Sequence, residues 1–396
     1  MKRSRKGLTF MTVLLCFVVA LLEGIDIQSA GIAGTGIAAT FGLDKSQMGW
    51  VFSASILGLL PGAFLGGLLA DRIGRKQVLI GSVVLFGVFS LVTTATSDLT
   101  GLGLGAALPN LIALSSESAD DATRATAVSL MYCGVPLGGA LASLVSVLGG
   151  MENWKLVFHL GGWAPLMIAP LLYVLLPESP AFERHQPSNA PARTGLWHGL
   201  FRERQAFVTL LLWVSCFFTL TVVYMLLNWL PSLLIGQGFT RPQAGMVQLL
   251  LNLGMATGSV FAGLLLDRWR ASLLVGLTYT GILVALLALG RSGDFTSMLL
   301  AGFDAGFFVL AAQLILYALA PQLYPAQVRA TGVGSAVAIG RLGSISGPLI
   351  AGQMLATGTG TPELMLAVSP GVVIAATGVI ILLRQRKTLP GHSPMT

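Results

Sequence analysis

Long apolar segments alternate with short polar ones along almost the whole chain. Most of the apolar segments hold about 20 residues, the length at which a helix crosses the hydrocarbon core of a bilayer. A membrane β-barrel would instead alternate apolar and polar positions over about ten residues per strand. The pattern predicts an all-α polytopic membrane protein with twelve spans, at residues 8–39, 48–70, 77–96, 99–116, 126–148, 157–176, 206–235, 244–266, 272–290, 297–320, 330–351 and 365–383.

One long polar stretch, residues 177–205, contains four prolines and several charged side chains and divides six predicted spans from six. We therefore expect an N-terminal six-helix bundle at residues 1–176, a cytoplasmic linker at 177–205 and a C-terminal six-helix bundle at 206–396. The apolar run that begins at Leu8 is too long for a signal peptide, which predicts an uncleaved first span.

Composition and charge support a membrane protein and set its orientation. The chain is 54% hydrophobic and 10% charged, whereas a soluble domain carries about 25% charged residues. With the N-terminus in the cytoplasm, 18 of the 23 lysines and arginines fall on the inner side and four on the outer side. The positive-inside rule then predicts cytoplasmic N- and C-termini. This distribution explains the net charge of +7 without a nucleic-acid partner.

The two halves repeat each other. Gly-Leu-Leu-Ala-Asp-Arg at residues 67–72 follows span two, and Gly-Leu-Leu-Leu-Asp-Arg at residues 263–268 follows span eight. Such parallel six-span repeats are typical of one large transporter architecture. The spacing from Asp71 to Arg124 is nine residues shorter than the equivalent spacing from Asp267 to Arg329. The deficit falls at the start of span four, which leaves this span short for a bilayer.

A glycine, an Asp-Arg pair and a Gly-Arg pair surround the polar end of span two: Gly67, Asp71, Arg72, Gly74 and Arg75. This pattern resembles the loop between spans two and three of the major facilitator superfamily. The resemblance implies a fold of two six-helix bundles, in which these five residues form a gating loop that stabilises the outward-open state. The alternative is an ordinary basic cytoplasmic loop.

Two carboxylates, Glu23 and Asp26, lie deep in span one. Their spacing of three residues places both on one side of the helix, and ionisable residues inside a membrane are expensive and usually functional. The alternative is a structural pair satisfied by neighbouring donors. Together with the following Gln28, this segment resembles the first span of the aromatic acid:proton symporters. The resemblance implies that Glu23 and Asp26 carry protons.

Arg341 is an arginine inside span eleven. A guanidinium group binds a carboxylate through two parallel hydrogen bonds, so Arg341 is a candidate clamp for an anionic substrate. The alternative is an ion pair with Asp304 of span ten or with the acids of span one. Further candidate substrate-binding residues are polar side chains inside spans: Tyr132, Tyr224, Asn228 and Gln313.

Several observations leave alternatives open. Asp304 is either a partner of Arg341 or a cavity-facing acid, and Glu117 follows span four without a defined role. The glycines at positions 101, 103 and 105 resemble the superfamily's signature for span four, but Ser97 stands where that signature has arginine. His159 is interpreted as a packed or interfacial residue rather than as a proton relay. Neither a metal-ligand spacing nor a nucleophile–base set stands out, so we expect no cofactor, no metal and no enzymatic activity.

The resemblance implies a secondary transporter of the bacterial inner membrane that imports an aromatic carboxylate with protons by alternating access. Its expected partners are the aromatic acid, protons and the lipid bilayer, and we expect a monomer. The short fourth span supports a different hypothesis, a non-transporting or inactive membrane protein. An uncoupled facilitator or an exporter of organic anions is a further alternative.

Overall fold

The computed structural model describes residues 2–57, 73–95, 133–149, 153–177, 201, 203–266, 270–324 and 328–386. Its α-helices are α1 (Lys2–Phe41), α2 (Lys45–Leu57), α3 (Arg75–Ala95), α4 (Gly134–Leu148), α5 (Lys155–Leu175), α6 (Glu203–Gly236), α7 (Arg241–Leu266), α8 (Ala271–Arg291), α9 (Phe295–Leu319), α10 (Arg329–Ala356) and α11 (Thr361–Arg386). A short 3-10 helix, Ala320–Gln322, follows α9.

The predicted all-α membrane architecture is confirmed. Within the described residues, nine helical segments are long and apolar enough to cross a membrane, and α4 is a shorter apolar helix. The count of twelve spans is not tested, because predicted span four and parts of spans two and five lie outside the described ranges. The linker at 177–205 also lies almost entirely outside them.

The turn between α1 and α2 shows how local sequence sets the first antiparallel connection. Gly42 follows α1 with φ 63°, a conformation that is cheap only for glycine. Asp44 then caps α2, because its Oδ1 accepts from the Gln47 backbone N–H at 2.7 Å while the Asp44 N–H donates to Gln47 Oε1 at 2.9 Å. This reciprocal pair satisfies two backbone donors that the first turn of a helix leaves free.

Glycines allow the helices of each half to pack backbone to backbone. A Cβ atom on Gly138 of α4 would overlap the Leu21 carbonyl oxygen of α1. In the second half, a Cβ on Gly306 of α9 would overlap the Leu251 carbonyl oxygen of α7. Small residues bring membrane helices close enough for dense van der Waals packing, which replaces the hydrophobic driving force that lipid lacks. The abundance of glycine therefore has a structural cause.

Among the described residues, the two halves meet mainly along three helix pairs: α2 with α10, α4 with α7, and α1 with α6. At the first pair, Ser53 Oγ of α2 donates to the Ile345 carbonyl of α10 at 2.8 Å. Within the second half, the Trp229 indole N–H of α6 donates to the Pro348 carbonyl of α10 at 2.9 Å. The Phe52 and Trp229 rings pack edge to face, 5.2 Å apart. These contacts close the two halves together on the side where α1 ends and α2 begins.

The α7–α9 crossing gives a testable stability prediction. Gly306→Ala forces a methyl group into the Leu251 carbonyl, and we expect a loss of about 1–3 kcal/mol, the usual cost of overpacking. Gly276→Ala on α8 is the matched control, since nothing lies within 4 Å of the added Cβ. Because alanine favours helix, we expect the control to be neutral or stabilising by up to about 1 kcal/mol. Thermal unfolding of both variants in detergent checks this, and equal midpoints would contradict the packing argument.

Candidate functional site

Arg341 lies near the middle of α10 and is partly buried. Its Nη1 donates to the Tyr224 hydroxyl of α6 at 2.8 Å. Glu23 of α1 and Tyr317 of α9 are close enough to interact electrostatically with its guanidinium group. These four side chains, which we name the Arg341 centre, come from four helices and from both halves of the chain.

Glu23 is the acidic member of the Arg341 centre and is fully buried. Neither of its carboxyl oxygens has a hydrogen-bond partner among the residues that the structure describes. A buried carboxylate that accepts no hydrogen bonds is stable only beside an opposite charge or in its protonated form. Either the charge of Arg341 or a bound proton can therefore stabilise the buried carboxyl group of Glu23.

Asp26 has different neighbours, although it interacts electrostatically with Glu23. Ser90 of α3 lies within hydrogen-bonding reach of its carboxyl group, and Ser90 Oγ donates to the Phe158 carbonyl of α5 at 3.0 Å. A Cβ on Gly161 of α5 would lie 3.6 Å from Asp26 Oδ1. The two acids thus share one side of α1, as the spacing predicts, but Glu23 meets the second half and Asp26 meets its own half.

The predicted substrate-binding residues differ in how close they lie to the Arg341 centre. Tyr224 belongs to the Arg341 centre, and Gln313 lies beside it, because its Nε2 donates to the Tyr317 hydroxyl at 3.2 Å. Asn228 is buried one turn along α6, and its Nδ2 donates to the Tyr224 carbonyl of its own helix at 2.8 Å. Tyr132 lies outside the described residues, as does Glu117.

Asp304 lies apart from the Arg341 centre. It lies on the exposed side of α9, one turn from Leu300, which is 62% exposed. Gln313 is nine residues further on, or two and a half helical turns, and so faces the opposite direction. Asp304 is therefore not brought to the Arg341 centre in this arrangement, and its role stays a prediction. His159 is exposed on α5, which favours an interfacial position over a packed one.

The gating-loop residues Gly67, Asp71 and Arg72 lie outside the described residues. Gly74 is buried with φ 98° and immediately precedes Arg75, the first residue of α3. Only glycine adopts this backbone conformation without strain. The motif thus contains one residue with a clear conformational requirement, while the roles of the charged residues stay predictions.

Sequence reasoning did not predict how three buried amides pair across the halves. Gln28 Nε2 donates to Asn252 Oδ1 at 2.8 Å, and Asn252 Nδ2 donates to Gln28 Oε1 at 2.8 Å. Gln248 Nε2 lies 3.5 Å from the same Gln28 oxygen. The signal available in sequence was only that these amides sit inside apolar spans, where polar groups need partners.

Comparison with known proteins agrees with this architecture. The family model of the Major Facilitator Superfamily matches residues 16–269 and 236–395. The chain is 54% identical to the 3-(3-hydroxy-phenyl)propionate transporter of Escherichia coli (strain K12), covering 98% of this chain and 97% of that protein. It is 33% identical to the gallate transporter of Pseudomonas putida, covering 94% and 91%.

The fold also matches a solved structure, that of the nucleoside transporter NupG. The TM-score is 0.76 at 13% sequence identity, over 95% of this chain and 99% of that chain. The relatives are transporters rather than enzymes. The family predicted from the sequence motifs is therefore confirmed: the chain belongs to the Major Facilitator Superfamily.

Proposed function

We propose that this protein imports an aromatic carboxylate resembling 3-(3-hydroxyphenyl)propionate, together with protons, by alternating access across the bacterial inner membrane. One observation carries the proposal: Arg341 lies between the halves, bonded to Tyr224 and electrostatically coupled to Glu23. The 54% identity to a transporter of that substrate supports it. Substrate sites in this architecture lie between the repeats near the membrane midplane.

In the proposed mechanism, Arg341 binds the substrate carboxylate and the Tyr224 hydroxyl keeps the guanidinium oriented. A planar guanidinium holds a carboxylate through two charge-assisted hydrogen bonds. While the site is empty, Glu23 shares the charge of Arg341. When the substrate carboxylate takes that charge, Glu23 binds a proton, because no other hydrogen-bond partner satisfies it within the described structure.

This exchange makes transport of one monovalent acid with one proton electroneutral, so the pH gradient alone drives it. Asp26, next to Ser90, offers a second proton position. A second proton would add about 2.3 kcal/mol for each 100 mV of membrane potential.

The proposed organisation keeps both termini in the cytoplasm, with six-helix bundles at 1–176 and 206–396 joined by the linker at 177–205. The protein acts as a monomer. In this orientation, the contacts between α2 and α10 close the outer side of the site. Tyr132, Asn228 and Gln313 contribute to the walls of the site, and the Asp71, Arg72 and Arg75 side chains stabilise the outward-open state.

The nine-residue deficit before Gly101 favours a second candidate, a membrane protein of this fold that no longer transports. A span of about 16 apolar residues reaches only about 24 Å, against a hydrocarbon core of about 30 Å. Such a protein would keep the Arg341 centre and bind the acid without moving it.

Substitution of Arg341 tests the clamp. Arg341→Ala removes charge-assisted bonds to the substrate, and we expect affinity to fall roughly ten- to hundredfold. Arg341→Lys keeps the charge without the planar fork and should give an intermediate loss. Binding of labelled 3-(3-hydroxyphenyl)propionate to the purified protein measures both. Arg291→Ala, at the exposed end of α8, is the matched control, and unchanged affinity in Arg341→Ala would exclude the clamp.

Substitution of Glu23 tests proton coupling. Glu23→Gln keeps the size of the side chain but cannot release a proton, so stimulation of uptake by an inward proton gradient should disappear. Exchange of labelled for unlabelled substrate without a gradient should continue. Proteoliposomes measure both activities, with the exposed Glu363→Gln as control. Gradient-stimulated uptake that survives in Glu23→Gln would assign coupling elsewhere, with Asp26→Asn as the next variant.

Restoration of the fourth span separates the two candidate functions. We would compare uptake by this chain with uptake by a version in which nine residues, including an arginine, are inserted before Gly101. We expect uptake by both, stimulated by an inward proton gradient. Uptake by the restored version alone would establish the second candidate, a membrane protein of this fold that no longer transports. Uptake that a proton gradient does not stimulate would indicate a facilitator.

A further inference from the structure

Three buried amides, Gln28 of α1 and Gln248 and Asn252 of α7, form a cluster between the two halves, which we name the amide cluster. Gln28 is 2% exposed, and the two residues of α7 are fully buried. Gln28 and Asn252 exchange a reciprocal pair of hydrogen bonds, each 2.8 Å long. On the far side, Gly139 of α4 leaves room for the Gln28 amide, which a Cβ at that position would overlap.

The hydrogen bonds of the α7 amides use their donors and leave an acceptor. A primary amide has two N–H donors and a carbonyl oxygen with two lone pairs. Asn252 Nδ2 donates to Gln28 Oε1 and, at 3.0 Å, to the Gln248 carbonyl. Gln248 Nε2 donates to Gln28 Oε1 and, at 3.3 Å, to the Leu227 carbonyl. Gln248 Oε1 alone has no partner in the described part of the chain.

A buried acceptor without a donor is unfavourable, and native structures usually supply the missing partner. The group that fits Gln248 Oε1 is a neutral donor such as a hydroxyl. A second carboxylate or a carbonyl would only add acceptors. The amide cluster therefore requires a hydrogen-bond donor, and a phenolic hydroxyl is the donor that the proposed substrate carries.

The amide cluster lies beside the Arg341 centre, displaced along the same direction on two helices. On α6, Leu227 follows Tyr224 by three residues, a rise of about 4.5 Å. On α1, Gln28 follows Glu23 by five residues, a rise of about 7.5 Å. The offset along the helix axes is thus about 4.5–7.5 Å, comparable with the length of an aromatic ring with a short side chain.

We propose that the amide cluster is the subsite for the ring hydroxyl of a phenolic carboxylate, with Gln248 Oε1 accepting the hydroxyl hydrogen. This inference rests on the proposed function, which places the carboxylate at Arg341. Gln28 and Asn252 position Gln248 by consuming the competing donors. The subsite explains how a transporter selects hydroxylated aromatic acids over unhydroxylated ones, because a site built for a hydroxyl leaves its own acceptor unpaired with the analogue that lacks it.

The test compares two ligands that differ only in this hydroxyl, 3-(3-hydroxyphenyl)propionate and 3-phenylpropionate, by equilibrium binding to the full-length protein in detergent. We expect the unaltered protein to bind the hydroxylated acid about tenfold more tightly. Gln248→Leu should reduce this ratio to about one by weakening only the hydroxylated ligand. If that variant does not fold, Gln248→Met, with an unbranched side chain, replaces it.

Gln237→Leu is the matched control. Gln237 also has a buried side-chain oxygen without a partner among the described residues, but its Nε2 donates to the Leu289 carbonyl within the second half. This variant should keep the tenfold ratio. Equal affinity of the unaltered protein for both ligands, or equal losses for both in Gln248→Leu, would overturn the subsite and leave the proposed function intact. Binding of neither ligand to the unaltered protein would overturn the proposed function and the subsite together.

Discussion

The hydrogen bond between Arg341 and Tyr224, with Glu23 nearby, is the interaction on which the functional interpretation depends. A guanidinium group inside a bilayer must contact a carboxylate, a carbonyl or water, because the hydrocarbon core of the lipid has no hydrogen-bond acceptor and no counter-charge. Arg341 finds its partners on other helices, one of them in the opposite half. Because an unpaired charge would be unfavourable there, the interaction of Arg341 with Glu23 holds the two halves together at this point. Anything that competes for Arg341, such as a substrate carboxylate, changes the interaction between them.

Backbone packing through glycine makes this arrangement possible. At Gly24 and Gly138 the backbones of α1 and α4 approach so closely that neither position has room for a Cβ atom. This contact fixes the rotation of α1, and the rotation decides which side chains face the second half. Glu23 and Gln28 reach it, whereas Asp26 turns toward Ser90 and Gly161. Small residues that contact no substrate thus determine which polar groups line the site.

The sequence predicted the helices and the charged centre but not the pairing of neutral groups. Arg341 and Glu23 were recognisable because a charge within an apolar run is expensive and needs a reason. The same argument does not place Asp304, since the rule that such charges face inward does not say which side of α9 points inward. Gln28 and Asn252 are 224 positions apart, and their pairing depends on which faces of α1 and α7 meet. Helical periodicity gives the faces of one helix, but the partner of each face is a tertiary property.

The different surroundings of the two acids of α1 argue for unequal roles. Glu23 interacts with Arg341 and therefore responds to whatever that arginine binds. Asp26 lies beside Ser90, whose hydroxyl is tied to the Phe158 carbonyl of the same half, so the arrival of a substrate changes its environment much less. In the proposed mechanism, a proton exchanged in step with the substrate therefore belongs to Glu23. In the same mechanism Asp26, the second proton position, senses the substrate only through Glu23, because the charges of the two acids repel when both are ionised. Protonation of one acid makes it easier for the other to stay charged. The number of protons bound to the two acids would then depend on whether Arg341 holds a substrate.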